Sequence, residues 1–139
     1  MTAEPTLESD ALAWMLAMSD SGQFTSEYRG KKWFHAKCQD RDRFGDLLSL
    51  RELDEILGTN GIRHPDIRLV RSDGEIPRSE YIWRDRMVDP AQAGRLFASG
   101  ATIIFAALHD CHEGTRKLCA SVARQMAART QTNIYLTPS

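Results

Sequence analysis

The chain has 139 residues, 42% of them hydrophobic and 27% charged, with 18 basic against 19 acidic residues and a formal charge of −1. That length suits one domain or part of one with a core of its own, and the balanced charge gives no reason to expect nucleic acid or an anionic membrane as the main partner. Met1-Thr2-Ala3-Glu4-Pro5 lacks the basic and apolar regions of a signal peptide, no apolar stretch approaches the roughly 20 residues that cross a bilayer, and the odd set Cys38, Cys111 and Cys119 fits free thiols in a reducing cytoplasm.

Ser9 or Asp10 can cap a first helix whose apolar positions include Ala11, Leu12, Met15, Leu16 and Met18, with Trp14 at the margin. Asp20-Ser21-Gly22 breaks it, and Phe24 to Ala36 predicts a short helical turn followed by an extended piece. Basic residues gather in Tyr28-Arg29-Gly30-Lys31-Lys32-Trp33 and at Arg41 and Arg43, where acidic neighbours favour a solvated face. Ser49 and Glu52 have the spacing of a capping box, Leu48 and Leu53 stand at its staple positions, and Leu53, Ile56 and Leu57 supply a buried stripe. Gly58 and Asn60-Gly61 end that helix.

Ile67 to Arg71 alternates as a strand, Ser72-Asp73-Gly74-Glu75 is a turn, and a piece around Ser79 to Trp83 is expected to return beside the strand. Asp89-Pro90 opens another helix, with Asp at the N-cap and Pro where its missing N–H costs nothing; Leu96 and Phe97 give it contacts and Gly100 stops it. The unbroken apolar run Ala101 to Leu108 predicts a strand covered on both sides. Glu113 to Arg129 reads as a helix capped by Asp110, with Leu118, Cys119, Val122, Ala123 and Met126 inward, and Gln131 to Thr137 as a last strand. The fold class is α/β, or α+β: residues 1–62 form a mostly helical front, and 63–139 hold the strands with two helices. Two readings of the end stay open on the residues alone. Asn133 and Tyr135 could point to a ligand, or Tyr135 could pack in the core while Asn133 caps a turn.

Several segments, in order, resemble the bacterial JmjC-type cupins of the ribosomal-oxygenase-like group. They are Phe24 to His35, Arg43-Phe44-Gly45-Asp46-Leu47-Leu48-Ser49, Ile67-Arg68-Leu69-Val70 with its Asp-Gly turn, Val88-Asp89-Pro90 to Leu108, and Asn133-Ile134-Tyr135-Leu136-Thr137-Pro138. The resemblance implies the first strands of an incomplete double-stranded β-helix, and a family that uses Fe(II) and 2-oxoglutarate to hydroxylate protein or peptide side chains. It also implies that Tyr135 matches the tyrosine donating a hydrogen bond to the far carboxylate of 2-oxoglutarate, with Asn133 two residues earlier on the same face. The family's His-x-Asp and later His, which hold the iron, follow the strand that Asn133 to Pro138 resembles and have no counterpart here. No catalytic or metal-binding residue is therefore assigned. The chain is expected to be the front part of such an enzyme, from a truncated or split gene or a cut chain, binding no cofactor by itself and inactive alone. Self-association or a separate catalytic chain is the expected partnership, because strands short of neighbours associate.

His64-Pro65-Asp66 formally satisfies His-x-Asp, with His109 or His112 as a distal ligand, but it matches the family's early, non-catalytic region. Asp66 reads better as a turn residue and His64 as an exposed loop side chain. His109-Asp110-Cys111-His112 with Cys119 invites a zinc reading, although the spacing fits no common structural site. A non-catalytic protein-interaction module is the main alternative, and a small zinc-binding protein a weaker one. There is no nucleophile elbow, Gly58-Thr59-Asn60-Gly61 lacks the lysine of a phosphate-binding loop, and Asp54-Glu55 lie on the polar side of their helix.

Overall fold

A computed structural model of the chain describes residues 4–38, 40–59 and 62–139. Helix α1 (Ala11–Leu16) is capped by Asp10, whose Oδ1 accepts from the Ala13 N–H at 3.0 Å. Ser9 is taken up instead by Thr6, each hydroxyl accepting the other residue's backbone N–H. The helix stops at Ala17, in the left-handed region at φ 52, so Met18 lies beyond it, and its buried residues are Ala11, Leu12 and Ala13. Asp20 then caps α2 (Ser21–Glu27). Asp10 joins three segments: Oδ2 also accepts from the Ser21 N–H at 3.0 Å, and Oδ1 from Gln125 Nε2 at 2.7 Å, while Gln125 Oε1 accepts from the Leu12 N–H.

Helix α3 (Leu50–Gly58) starts as its sequence requires. The Glu52 N–H donates to Ser49 Oγ, and Glu52 Oε2 accepts from the Ser49 N–H at 2.7 Å. Leu53 and Leu57 are buried; Asn60 and Gly61 lie outside the described residues. Helix α4 (Pro90–Ala98) is capped by Asp89, which accepts from the Ala91 and Gln92 N–H groups, and Gly100 follows it at φ 100.

Four antiparallel strands form one sheet in the order β2-β1-β3-β4, with β1 Ile67–Arg71, β2 Gly74–Glu75, β3 Thr102–Phe105 and β4 Ile134–Leu136. Directly opposed residues on neighbouring strands share a face. The rows Ile67–Phe105–Ile134 and Leu69–Ile103–Leu136 therefore lie together. Their β1 and β3 members belong to the core, which also holds Leu53 and Leu57 of α3 and Ala93 of α4, with Ile134, Leu136, Leu96 and Phe97 packed against it. The molecule is thus a mixed α/β fold of helices and one small antiparallel sheet, with α3 and α4 on one side of that sheet. Among the described residues no helix is long and apolar enough to cross a membrane.

Several expectations need correction. The partner of β1 is Gly74–Glu75 across a two-residue Ser72-Asp73 loop, and not Ser79 to Trp83. Arg78–Glu80 is a 3-10 turn instead, which buries Tyr81 and leaves Ile82 a single bridge to Val88. Strand β3 ends at Phe105, because Ala107 turns left-handed at φ 49 and Leu108–Asp110 forms a 3-10 turn. Helix α5 (Glu113–Met126) ends with the last residue of its apolar stripe, three residues short of the expected Arg129, at a left-handed Ala127, and its N-cap is His112 and not Asp110.

Candidate functional site

The side of the sheet away from α3 and α4 carries the residues singled out by the sequence. Arg68 pairs with Ile104 and Ile104 with Tyr135, so the three form one row across β1, β3 and β4 on that side. Beside it, Thr102 Oγ1 lies 3.0 Å from Thr137 Oγ1. Ile104 is 6% exposed yet stands outside the core cluster, whereas Tyr135 is 63% exposed. The tyrosine ring therefore lies exposed on the edge strand of that side, beside a buried Ile104, and not in the core. Arg68 is the residue that periodicity does not reveal. Its alternation in β1 gives the face, and only the strand register aligns it with Tyr135.

Asn133 behaves differently from its neighbour. Its Oδ1 accepts from the Ala107 N–H at 3.0 Å and so holds the left-handed turn that closes β3. That is the turn-capping role, and it leaves only the Asn133 amide NH2 free to donate to a ligand.

The two sides of α3 and α5 meet at a second cluster. His112 Nδ1 accepts from the Thr115 N–H at 3.2 Å, as a helix cap. A backbone N–H can only donate, so Nδ1 is the accepting nitrogen of this cap and Nε2 is the one left to donate. Nε2 lies 3.3 Å from Glu52 Oε1, and Glu52 is bound through Oε2 to the Ser49 hydroxyl and N–H. Those Ser49 hydrogen bonds, followed by the one from His112, lower the Glu52 pKa to about 2 from an ordinary 4.5. Thr115 is 1% exposed, which keeps its hydroxyl away from any substrate. The arrangement ties two helix ends together.

His109 and Cys119 are turned onto Thr132, and Cys111 onto a backbone carbonyl. His109 Nδ1 accepts from the Thr132 N–H at 3.3 Å, Cys119 Sγ lies 3.0 Å from Thr132 Oγ1, and Cys111 Sγ lies 3.5 Å from the Leu108 carbonyl. Burial, and then the nearby Asp110 carboxylate, push the Cys111 thiol up, away from the thiolate that metals bind. His64 is half-buried and not an exposed loop side chain, and Asp66 lies in the turn before β1. Among the described residues, no three His, Cys, Asp or Glu side chains are grouped to hold a metal ion.

On the helix-covered side, an apolar concavity of about 270 Å³ opens between α3, α4 and the sheet, lined by Leu50, Leu53, Leu57, Phe97, Ile103 and Leu136. Leu50 at its rim is 70% exposed. The chain matches no protein-family model and no curated protein.

Proposed function

We propose that this chain supplies the N-terminal part of a cytoplasmic JmjC-type cupin oxygenase, of the bacterial ribosomal-oxygenase-like kind, acting on protein or peptide side chains. The observation that carries the reading is the two-sided sheet. One face is packed against α3 and α4, and the other holds Arg68, Ile104 and Tyr135 in one row, with Tyr135 63% exposed. A face that sets a cation and an exposed phenol either side of a buried Ile104, flanked by hydroxyls, suits the inside wall of a barrel that seats an anionic cosubstrate. Tyr135 can donate to a carboxylate there, and Arg68, two strands and so about 10 Å away, can add charge.

Iron does not fit the residues described. A facial site needs two imidazoles and a carboxylate converging with open positions, while His109 and His112 are bound to Thr132 and to Thr115 with Glu52. The iron ligands would have to come from a further segment or a separate catalytic chain, so on this reading the chain alone does not turn over 2-oxoglutarate. Co-expression with an adjacent coding segment carrying His-x-Asp and a later His tests the reading. Turnover of 2-oxoglutarate that depends on Tyr135 supports it. Stoichiometric binding of Fe(II) and 2-oxoglutarate by the chain alone, or the lack of any such segment beside its gene, overturns it.

The apolar concavity favours a second reading, a non-catalytic interaction module. It lies next to β4, an edge strand of the described sheet, and residues 130–139 include no charged residue to discourage strand pairing. A monodisperse chain that unfolds cooperatively supports a self-contained module, and a sticky species without cooperative unfolding supports a fragment.

A further inference from the structure

The balanced net charge conceals one lopsided segment. Between Tyr28 and Cys38 the chain carries Arg29, Lys31, Lys32, Lys37 and His35, and no acidic residue. The segment is built on an aromatic base. Phe34 meets Tyr28 edge-on at 4.9 Å and Phe24 at 6.0 Å, and Phe24 stacks on Tyr28. Arg29 fixes the base to the body of the fold by donating to the Met126 carbonyl at the end of α5, at 2.6 Å. Lys31 donates to the Ser26 carbonyl, and the Lys32 ammonium lies 4.4 Å from the centre of the Tyr28 ring.

Beyond that base, exposure alternates residue by residue. Phe34 and Ala36 are half-buried, while Trp33, His35 and Lys37 are exposed, Trp33 by 84%. None of the ion pairs among the described residues involves a cation of this segment.

We propose that this segment is a docking site for single-stranded nucleic acid, with Trp33 as the stacking platform and His35 and Lys37, on the same exposed side, facing the phosphates. Same-side residues of an extended chain recur every 6.6–7 Å, roughly. That is about twice the 3.4 Å phosphate spacing of a stacked strand, as a stretched single strand has. Stacking on a flat side chain beside a row of cations is how strands are held without reading their sequence. A membrane surface would call for a broader apolar face than one indole, and here Phe34 and Ala36 turn inward. A run of Asp and Glu matches the charge but offers no aromatic face to stack on Trp33.

The test is fluorescence anisotropy of a labelled oligouridylate, about 12 nucleotides long, on the full chain. Binding is expected at about 50 mM salt and should weaken steeply by about 200 mM. Trp33→Ala should weaken it about tenfold and Trp33→Phe by less. Lys37→Ala should reduce the salt slope by about 0.7. Trp33 is too exposed for its loss to unfold the chain, and circular dichroism checks that. Three results would overturn the proposal: no binding at low salt, a duplex bound as tightly as the single strand, or a Trp33→Ala variant that binds like the parent. Sedimentation with phosphatidylserine vesicles without oligonucleotide binding would assign the segment to a membrane surface, and full displacement of the oligonucleotide by polyglutamate at equal charge would assign it to acidic peptides.

Discussion

Glu52 and His112, 60 residues apart in the chain, stand 3.3 Å apart and join the first turns of α3 and α5. His112 is the N-cap of α5 and Glu52 closes the capping box with Ser49, the N-cap of α3, so one hydrogen bond couples two capping arrangements. His112→Ala removes the acceptor for the Thr115 N–H as well as the donor to Glu52, and should cost about 1–2 kcal/mol in urea unfolding. In a double-mutant cycle with Glu52→Gln the two losses should be non-additive, by about 0.5 kcal/mol or more. Nitrogen NMR of the His112 ring should show the proton on Nε2, and a proton on Nδ1 would contradict the cap.

The depressed Glu52 carboxyl makes a signed prediction about acid. Its pKa is about 2 in the folded chain against an ordinary 4.5, so between those values the unfolded chain binds the extra proton. Its contribution to stability is fully present above about pH 4.5 and is lost as pH falls towards 2. Glu52→Gln should flatten the stability profile across that window and leave its slope at neutral pH unchanged. An unchanged acid limb would remove Glu52 from the account.

Two glycines in helices should respond in opposite directions. A Cβ on Gly114 would sit 2.7 Å from the Leu47 carbonyl oxygen and 3.0 Å from the His112 ring, so Gly114→Ala must push α5 off the loop before α3. The expected cost is about 1–3 kcal/mol. At Gly94, in the interior of α4, a Cβ meets no atom within 4 Å, and Gly94→Ala should stabilise by about 0.5–1 kcal/mol. Thermal unfolding of the two variants checks both signs.

Asn133 and Tyr135 lie on one face but should separate in experiment. Asn133→Ala strands the Ala107 N–H and should lower stability by about 1 kcal/mol. Tyr135→Phe removes only an exposed hydroxyl and should change stability by less than about 0.5 kcal/mol. If the oxygenase reading holds, the same change should raise the KM for 2-oxoglutarate in the reconstituted enzyme. A Tyr135→Phe variant that unfolds more readily than Asn133→Ala would reverse their roles.

Local chemistry was legible wherever a cap or turn residue acts over one helical turn. The Ser49–Glu52 box and the Asp89-Pro90 start stand where the residues predict them, because both are satisfied by neighbours three residues away or nearer. Choices made by distant partners were not legible. Tyr81-Ile82-Trp83 has the residue types of a strand, but Tyr81 is drawn into the core and the Leu69 N–H reaches its hydroxyl at 3.4 Å. Asp110 is the better intrinsic cap, yet His112 takes the position because its ring can also reach Glu52. At the candidate site, alternation gives the face of Tyr135, and only the register of β1 on β3 reveals Arg68 beside it. Exposure of Trp33 likewise depends on Phe34 finding Phe24 and Tyr28.

The Asp10 carboxylate has a consequence for how the chain is made. It holds the start of α1, the start of α2 and Gln125, which is 115 residues further along. Six residues of helix are too few to persist alone in water. At synthesis rates of about 5–20 residues per second, Gln125 leaves the ribosome on the order of ten seconds after Asp10. Through that interval the first two helices lack their anchor, so the beginning of this protein is among the last parts of it to settle.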